Sequence, residues 1–547
     1  MEDNCKGANP QLYVAFEPLR RPSRQEDGLL QPRGDDLNVL GVADLRAAES
    51  AAYAQMPSFT LMARAGEAAW QWAKQHCMGE PATAALRPWL ILAGTGNNGG
   101  DAFVLARHAH QAGIPLSVYA TGPTGDTATD AARARAELES AGIPVQPADS
   151  LTDIDPDAWA CIIDGLLGIG ARNPPAGETA RLIHLINTAS HPRTLALDIP
   201  SGLDADTGVA SSPCVQASHT LSFIAAKPGL LTADGPDVCG ETRIATLCLA
   251  DAFARANSPV LALSDRSLLS LWPRRRLNSH KGTQGDVIII GGDSGMAGAA
   301  ILAGRAALQM GAGRVFVGLL DGPHPPGYDP VAPEMMLRPA ESLSDHGGVW
   351  VIGPGAGQSD RMQILMRQLL RQWHEAPQTC PAGIVLDADA LNLIAADPAL
   401  AVRFQSLNAR RIITPHPLEA ARLLARNTAA VQADRLAAAD ALSRQLDAVI
   451  ILKGMGTIIS DGTQRCINLS GGPALASGGT GDVLAGSLGA ILSQMKDQAA
   501  PAFRAAALAT FLHGAACDAM PGEAQAPGLL CASELPSRMR QAMINAR

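Results

Sequence analysis

Aromatic side chains and positive charge are both scarce in this sequence of 547 residues. Phe, Trp and Tyr together make up 4% of the chain, and 43 Lys and Arg stand against 52 Asp and Glu, a formal net charge of -9 at pH 7. A nucleic-acid-binding protein presents a basic stripe, so this balance argues against a nucleic-acid partner. A hydrophobic content of 47% with 17% charged residues excludes a disordered chain and is typical of compact globular enzymes.

Long apolar runs and clustered cysteines are also lacking. No apolar run reaches the roughly 18–20 residues that a membrane span requires, and the first residues lack the charged-then-apolar order of a signal peptide. The ten cysteines are scattered, with no CxxC pair and no His/Cys cluster at metal-ligand spacing. We therefore expect reduced thiols, no structural zinc, no membrane partner and a soluble cytoplasmic protein.

Length and local composition predict how the chain is divided. A chain of 547 residues is too long for a single core. The polar, Pro- and Arg-rich residues 1–36 predict a loose tail. A domain boundary is expected at 257–259, where a Ser-Pro pair, a change in the spacing of apolar residues and a basic cluster occur. We therefore expect one domain over 37–257 and a second over 258–547.

Short apolar segments alternate with Ala-, Leu- and Arg-rich stretches from about residue 40 onward. The segments that predict strands are PWLILAG, PLSVYATG, ACIIDGLLG, RTLALDIPSG and HTLSFIAA, then GDVIIIGG, GRVFVGLL, GVWVIGPG, GIVLDAD, RIITPHP and AVIILKGMGTIISDG. Continuous apolar strands that end in Gly, Asp or Pro indicate buried parallel sheets with helices on both faces. Because the two halves do not repeat one another, the sequence predicts two different α/β domains, each with its functional loops at the C-terminal ends of its strands.

In the first half, polar residues follow three of the predicted strands. They are Asn97, Asn98 and Asp101 in the glycine turn GTGNNGGDAF, Asp164 in DGLLGIG, and Asp198 and Ser201 in LDIPSG. Strand ends meet at one edge of a parallel sheet, so these side chains can converge in one crevice. The glycine turn alone is a weak signal, because it is either a tight turn or a phosphate cradle, and each aspartate caps a turn as readily as it lines a site.

Taken together, GTGNNGGDAFVLARHA, DGLLGIG and LDIPSGLDADTG resemble the NAD(P)H-hydrate epimerase domain over about residues 38–255. The resemblance implies a Rossmann-like α/β/α sandwich and a potassium ion held by Asn98, Asp164 and Ser201. It implies that hydrated NADH or NADPH contacts Asp198 and two loops, which comprise Asn97, Asn98, Gly99, Gly100 and Asp101, and Gly168, Ile169, Gly170, Ala171, Arg172, Asn173 and Pro174. Exchanging the C6 hydroxyl between its R and S forms requires proton transfer at a saturated ring, so we expect Asp198 to be the catalytic carboxylate.

The second half contains a lysine and an aspartate in glycine-rich settings. The sequence has only six lysines, and three of them, Lys227, Lys281 and Lys453, lie beside Gly or Pro-Gly. A compact point charge followed by open backbone, as at Lys453 in ILKGMGT, suits a nucleotide phosphate. Asp482 in ASGGTGDVLAG lies at a predicted helix start, where free N–H groups attract an anion. A carboxylate there makes sense if it accepts a proton or holds a cation.

Other polar residues of the second half have two readings each. His416 lies between two prolines in TPHPLEAARLL and is either structural or a ligand contact. Asp387, Asp389 and Asn392 in LDADALN form a substrate or magnesium-water site, or cap the helix that follows. The alanines of MAGAAILAGRAAL allow close approach of a ligand or close packing of the helix on the sheet.

The order strand, Gly-x-Gly-Asp, helix resembles the ribokinase-like superfamily, whose α/β/α fold we expect for the second domain. The combination of SHKGTQG, GPGAGQ, LDADALN, TPHPLEAARLL, LKGMGT and SGGTGDVLAG resembles the ADP/ATP-dependent NAD(P)H-hydrate dehydratases over about residues 263–545. The resemblance implies that the hydrate is contacted by Ala300, Gly355 or Gly357, His416 and Asp482. It implies that ADP or ATP, with Mg²⁺, is held by Lys453, Gly454, Met455, Gly456, Thr457 and Gly481. Asp482 then acts as the base on a hydroxyl that is phosphorylated and eliminated as phosphate.

Together the two halves predict a bifunctional repair enzyme in which an epimerase supplies the S hydrate to an S-specific dehydratase. Ala102 and Gly472 depart from the two families, which usually have glycine and asparagine there. The alternatives are a ribokinase-class small-molecule kinase fused to a non-catalytic nucleotide-binding module, and a nucleotide-sensing scaffold. The families favour a homo-oligomer, and the sequence leaves the preference between ADP and ATP, and between NADH and NADPH hydrate, open.

Overall fold

The computed structural model describes residues 37–77, 87–122, 129–155, 158–189, 193–249, 256, 260–262, 265–273, 275–321, 327–495, 498–520 and 530–545. These residues fall into two compact units that divide between Val260 and Leu261. The predicted tail over 1–36 and the predicted boundary at 257–259 lie outside the described residues. None of the helices within the described ranges is both long enough and apolar enough to cross a membrane.

The N-terminal unit is built around a parallel sheet. The strands of this sheet are β2 (Trp89–Ala93), β3 (Leu116–Ala120), β4 (Val145–Pro147), β5 (Cys161–Gly165), β6 (Arg193–Leu197), β7 (His219–Phe223) and β8 (Glu241–Ala245), and the short strand β1 (Leu37–Val39), which precedes them in the chain, is not part of it. The helices of this unit are α1 (Val42–Tyr53), α2 (Ser58–Cys77), α3 (Asn97–Gln111), α4 (Asp130–Ser140), α5 (Gly177–Thr188) and α6 (Gly235–Cys239). The sheet order is β4-β3-β2-β5-β6-β7-β8, and every pair is parallel.

Alternate residues of the central strands face two separate cores. In β2, Ile91 packs with helices α2, α3 and α4, whereas Leu90 and Leu92 pack with α5. Because side chains alternate along a strand, a strand covered on both faces is apolar throughout. The predicted Rossmann-like α/β/α sandwich is confirmed.

The strand order of this unit reverses at the centre of the sheet. The chain runs outward from β2 to β3 and β4, then returns to place β5 on the other side of β2. The loops that leave β2 and β5 therefore separate at this point. A crevice at the C-terminal ends of two such strands is the usual ligand position in an open α/β sheet.

The C-terminal unit contains a larger sheet. Its strands are β9 (Val260–Ala262), β10 (Asp286–Gly291), β11 (Arg314–Leu319), β12 (Met336–Pro339), β13 (Val349–Ile352), β14 (Gly383–Leu386), β15 (Arg410–Ile413), β16 (Val449–Leu452), β17 (Ile458–Ser460) and β18 (Arg465–Ile467). They lie in the order β9-β18-β17-β16-β15-β14-β13-β10-β11-β12. All pairs are parallel except those of β17, which is antiparallel to β16 and β18.

Helices cover this sheet as well. They are α7 (Asp265–Leu269), α8 (Ala297–Gln309), α9 (Asp360–Glu375), α10 (Asp389–Ala396), α11 (Pro398–Gln405), α12 (Pro417–Leu423), α13 (Thr428–Ala433), α14 (Arg435–Leu446), α15 (Thr480–Gln494), α16 (Pro501–Asp518) and α17 (Leu535–Asn545). The small residues of α8 serve packing: a Cβ on Gly486 of α15 would lie 1.9 Å from the carbonyl oxygen of Ala303. This close contact fixes α15, whose first turn contains Asp482. The predicted second α/β/α domain is confirmed.

Candidate active sites

A cavity of about 460 Å³ opens in the N-terminal unit where the loops after β2 and β5 separate. The predicted site residues among its lining are Asn97, Asn98, Asp101, Gly168, Ile169, Gly170, Ala171 and Asp198. Arg46, Glu49, Tyr53 and Lys227 also line it and were not predicted. A polar cavity at the point where the strand order reverses is the expected place for a small-molecule ligand.

The remaining predicted loop residues, all of which the structure describes, are not among those that line the cavity. A Cβ on Gly99 would lie 2.0 Å from the carbonyl oxygen of Gly94, and a Cβ on Gly100 would lie 2.5 Å from the Cε of Met62. These two glycines thus allow α3 to pack closely on its neighbours. Arg172, Asn173 and Pro174 are exposed. Contact of these five residues with a ligand stays a prediction.

Asp198 directly follows β6 and is anchored by a buried lysine. It has a positive φ of 66° and is 9% exposed. Its Oδ1 accepts hydrogen bonds from the backbone N–H of Phe223, at 3.1 Å, and from the ammonium of Lys227. Left-handed backbone at a non-glycine residue costs on the order of 1–3 kcal/mol and is found where the surrounding structure holds a functional side chain.

Lys227 makes three hydrogen bonds and is 1% exposed. Besides the ion pair with Asp198, its Nζ donates to the Oγ of Ser222 and to the backbone oxygen of Phe223, both at 2.8 Å. These bonds satisfy a buried charge and fix one oxygen of Asp198. No hydrogen bond to the other oxygen, Oδ2, occurs within the part of the chain that the structure describes. The sequence signals for Lys227 were the rarity of lysine among many arginines and its position before Pro-Gly.

Asp101, in α3, is a second carboxyl of the same cavity. It is 8% exposed, and its carboxyl makes no hydrogen bond or ion pair with any described residue. Burial, and then the charges of Asp198 and Glu49, raise the pKa of Asp101 well above its usual value, although Lys227 opposes the shift. The cavity thus contains one carboxylate with a cationic partner and one carboxyl without.

Asn98, which lines the cavity, is connected to Ser201 and Asp164 through the backbone of Leu167. The carboxylate of Asp164 accepts from the Oγ of Ser201 at 2.6 Å, from the N–H of Ser201 at 2.8 Å and from the N–H of Leu166 at 3.2 Å. Asn98 Nδ2 donates to the backbone oxygen of Leu167 at 2.9 Å, but Asn98 Oδ1 is buried with no hydrogen-bond partner in the described ranges. Burial raises the pKa of Asp164 to about 6, and the hydrogen bonds from Ser201 and Leu166 offset only part of that rise.

In the C-terminal unit, Lys453 joins residues from three strand ends. Its Nζ lies 2.9 Å from Asp387 Oδ1 and 3.9 Å from Glu419 Oε2. Asp387 also accepts a hydrogen bond from the Oγ1 of Thr414 at 2.6 Å. Burial opposes the charge on Lys453, but the carboxylates of Asp387, Glu419 and Asp482 together raise its pKa.

Asp482 lies beside this lysine, in the first turn of α15. A Cβ on the preceding residue, Gly481, would lie 3.6 Å from Lys453 Nζ and 3.9 Å from Asp387 Oδ2. Burial, and then the charge of Asp387, raise the pKa of Asp482 to about 6, whereas Lys453 lowers it. A carboxyl whose pKa lies close to neutral pH is suited to accept a proton during catalysis.

His416 has a structural role in the described contacts. Its Nδ1 accepts from the N–H groups of Leu418 and Glu419 at 3.1 and 3.4 Å, and the Glu419 carboxylate accepts from the N–H of His416 at 2.8 Å. This reciprocal capping begins α12. Burial and the charge of Lys453 lower the pKa of His416. Of its two readings the structural one is thus observed, and contact with a ligand stays a prediction.

The glycine loops of this unit lie around the same strand ends. Gly355 has a φ of 57° and a Cβ there would lie 2.8 Å from the Cβ of Ala299, next to the buried Ala300. Gly357 has a φ of 63° and donates to Asp389 Oδ2 at 2.9 Å. Only residues without a side chain reach such conformations readily, and the two glycines let this loop pack closely against α8 and Asp293.

The loop from Lys453 to Thr457 is also shaped by glycine. Gly454 and Gly456 have φ values of 135° and 59°, and Thr457 Oγ1 donates to the Gly454 oxygen at 2.8 Å. Met455 is 45% exposed. Glycine-shaped turns of this kind are a common setting for anion binding in proteins.

His513 was not predicted, yet it supports the start of α15. It lies on α16, is 9% exposed, and its Nε2 lies 2.9 Å from the backbone oxygen of Thr480, two residues before Asp482. Burial lowers the pKa of His513 to about 4, so the neutral ring donates this hydrogen bond. The only sequence signal was a lone histidine in the apolar run FLHGAAC.

Two family models match the chain. The model described as YjeF-related protein N-terminus matches residues 58–229, and the model described as NAD(P)H-hydrate dehydratase matches residues 287–536. The first range includes the whole described cavity except parts of α1 and Leu247, and the second includes Lys453 and Asp482.

Curated relatives match most of the chain at once. The Bifunctional NAD(P)H-hydrate repair enzyme Nnr of Escherichia coli is 36% identical over 490 residues, which cover 88% of this chain and 89% of that protein. The protein of the same name in Coxiella burnetii is 35% identical over 492 residues, covering 87% of this chain and 93% of that protein. Among solved structures, the ADP/ATP-dependent NAD(P)H-hydrate dehydratase from Bacillus subtilis, co-crystallized with ATP/Mg²⁺, is 26% identical, with a TM-score of 0.43, and covers 52% of this chain and 98% of that one.

Proposed function

The chain belongs to the bifunctional NAD(P)H-hydrate repair enzymes, with an epimerase and a dehydratase domain, and we propose which residues carry out each of the two reactions. The cavity of the N-terminal unit interconverts the R and S hydrates of NADH and NADPH through Asp198. The site around Asp482 dehydrates the S form with ADP or ATP. We place the domain boundary at 257–259 and expect a homo-oligomer. The observation that carries the proposal is a half-buried Asp482 at a helix start beside Lys453.

At the C-terminal site, Asp482 takes the proton of the C6 hydroxyl as that oxygen attacks the terminal phosphoryl group of the nucleotide. Lys453, the loop that follows it and Gly481 bind the nucleotide, because a fixed ammonium and the N-terminus of α15 attract phosphate oxygens. Mg²⁺ bound with the nucleotide offsets the repulsion between phosphate and carboxylate. Asp389 and Asp293, whose oxygens lie next to Gly357, offer the hard donors that such an ion accepts. Phosphate then departs with the electron pair of the C6–O bond as the ring nitrogen donates its lone pair, and loss of a proton from C5 restores the C5=C6 double bond of the dihydronicotinamide.

At the N-terminal site, we assign a potassium ion to Asn98, Asp164 and Ser201. The donor set fits a hard monovalent cation, since the buried oxygen Asn98 Oδ1 has no partner among the described residues and Asp164 is a wholly buried carboxylate. A cation there supplies positive charge beneath the loops that face the nucleotide of the substrate.

Potassium should therefore stabilise the N-terminal unit and speed epimerisation. We expect the epimerase rate and the melting temperature to rise with KCl at constant ionic strength, and to rise less with NaCl, because ligand bound only to the folded state stabilises it. Asp164→Asn should remove the response, whereas Asp149→Asn, an exposed carboxyl in the same unit, should keep it. Equal responses to the two salts in the unmodified protein would contradict the assignment.

The dehydratase assignment is tested by following the products from pure S hydrate with Mg²⁺ and either ADP or ATP. We expect dihydronicotinamide absorbance to return with one inorganic phosphate released for each hydrate consumed. Accumulation of a stable phosphorylated product would instead favour the ribokinase-class kinase. Comparison of the two nucleotides in parallel gives the preference between ADP and ATP.

A further inference from the structure

We propose that Asp101 is a second proton-transfer residue of the epimerase cavity, which acts as a pair with Asp198. One carboxyl protonates the departing C6 hydroxyl, and the other accepts a proton from the water that replaces it. This inference rests on the proposed function of the cavity and adds a residue and a chemical route to it.

The first support is the contrast between the two carboxyls. Asp198 has a cationic partner in Lys227 and accepts a backbone hydrogen bond from Phe223. Asp101 lines the same cavity and is only 8% exposed. It has neither a cationic partner nor a backbone hydrogen bond to its carboxyl among the described residues. A polar group that is buried without a partner is costly, so such a group is retained where a ligand completes it.

A role in capping does not account for Asp101. Asp101 is the fifth residue of α3, too far along the helix to be its N-cap. The N-cap position is occupied by Gly96, which has no side chain to cap the helix. None of the N–H groups at the start of α3 that the structure describes donates to the Asp101 carboxyl. The side chain is thus available to a bound molecule.

The charged and titratable groups around Asp101 differ from those that contact Asp198. Those around Asp101 are Asp198, Glu49 and Tyr53, which are acidic, and the ammonium of Lys227. Glu49 is itself paired with Arg46 at 3.1 Å. Burial together with the two nearby carboxylates raises the pKa of Asp101, whereas Lys227 bonds directly to Asp198. A protonated acid and a paired carboxylate in one cavity form a donor and an acceptor.

The reaction balances without any reactant other than water. Asp101 gives its proton to the C6 hydroxyl, the C6–O bond breaks with its electron pair on oxygen, and water leaves. The lone pair of the ring nitrogen forms a C6=N double bond meanwhile. Water then adds to the other face of C6, and Asp198 takes the proton that it loses. The proton has moved from one carboxyl to the other, and the reverse reaction begins from that state.

The test uses the full chain without ADP or ATP, so that only epimerisation occurs. We expect Asp101→Asn, which keeps the size of the side chain and removes its proton, to lower kcat in both directions by about 100-fold or more with little change in KM. Dehydration of pure S hydrate after addition of ADP should be unchanged. Asp149→Asn, an exposed carboxyl in the same unit, should retain the normal epimerase rate.

Two further measurements on the unmodified chain do not depend on a folded variant. In ¹⁸O-labelled water, each inversion should introduce one labelled oxygen at C6. The epimerase rate should also fall as the pH rises through the raised pKa of Asp101, because that residue then has no proton to give. Inversion with retention of the original oxygen, or a rate that does not fall on the alkaline side, would overturn the proposal.

The outcomes separate this inference from the proposed function. If Asp198→Asn slows epimerisation and Asp101→Asn leaves kcat within a few-fold of normal, the role of Asp101 is wrong and the cavity remains the site. If neither variant slows epimerisation, the assignment of the cavity itself is wrong. A rate reduced by both variants, with labelled oxygen in the product, supports the pair.

Discussion

Asp482→Asn is expected to abolish repair of the S hydrate, with kcat lower by about 100- to 10,000-fold and epimerisation unchanged. Asparagine has the same shape and can remain at the start of α15, but it cannot accept the proton of the attacking hydroxyl. The measurement is the initial rate of dihydronicotinamide formation from pure S hydrate with Mg²⁺ and ADP or ATP. Asp461→Asn, which changes a partly exposed turn carboxylate in the same unit, is the matched control. A rate within a few-fold of normal would contradict the role of Asp482.

The same variant should make the C-terminal unit more stable, which separates lost chemistry from lost folding. The pKa of the Asp482 carboxyl is raised to about 6 in the folded state. Its contribution to stability is therefore fully present below the pKa of the unfolded chain and is lost as the pH rises through 6. At pH 7.5 the charged Asp482 therefore opposes folding, and Asp482→Asn should raise the free energy of unfolding by on the order of 1 kcal/mol, after allowance for solvent screening. Urea unfolding at pH 7.5 and 5 should show the gain shrinking at the lower pH. If the variant were less stable than the unmodified chain at both pH values, the claim that the charged Asp482 opposes folding would be wrong.

Lys227→Met is expected to slow epimerisation strongly and to destabilise the N-terminal unit. Removal of the ammonium leaves Asp198 buried without its cationic partner, a change that costs about 3–5 kcal/mol for a buried ion pair. It also frees the carboxylate from the position that Lys227 fixes, so we expect the epimerase rate to fall by about 100-fold. The measurements are the rate of R-to-S conversion without nucleotide and the unfolding midpoint of the N-terminal unit. Lys74→Met, which changes a lysine that donates a hydrogen bond to Gln71 and lies over the ring of Trp70, is the matched control.

A double variant distinguishes the two consequences. Lys227→Met combined with Asp198→Asn removes both charges, so much of the lost stability should return while the epimerase rate stays low. Such non-additivity is expected of residues in direct contact. Full epimerase activity in Lys227→Met would show that the lysine does not position the carboxylate.

The sheets were predictable where the strands are buried on both faces. Segments such as WLILA in β2 and DVIIIG in β10 are apolar throughout because each of their faces meets a core. The strands that were missed lie mostly at sheet edges. ETRIA in β8 pairs only with β7, and MLRP in β12 pairs only with β11, so their exposed side chains are polar and give no continuous apolar run.

The candidate sites were predictable from strand ends and less so from tertiary contacts. Asp198 and Lys453 each follow a buried strand directly, and the carboxyl ends of parallel strands meet at one edge of the sheet. Lys227 was missed because only the fold brings it to the carboxylate of Asp198, which lies 29 residues away in the chain. His513 was missed because its partner, the oxygen of Thr480, is a backbone atom that no residue type reveals. The antiparallel β17 was read as part of one long strand, since the turn at Gly454 and Gly456 appears in the sequence only as glycines.

One measurement tests both proposed sites: the time course of dihydronicotinamide absorbance when a mixture of R and S hydrate is incubated with Mg²⁺, KCl and ADP or ATP. The unmodified chain should restore the whole mixture. Asp198→Asn should restore the S fraction at the normal rate and then continue only at the slow spontaneous rate, and Asp482→Asn should restore nothing. Complete restoration by either variant at the normal rate would contradict the division of the reaction between Asp198 and Asp482.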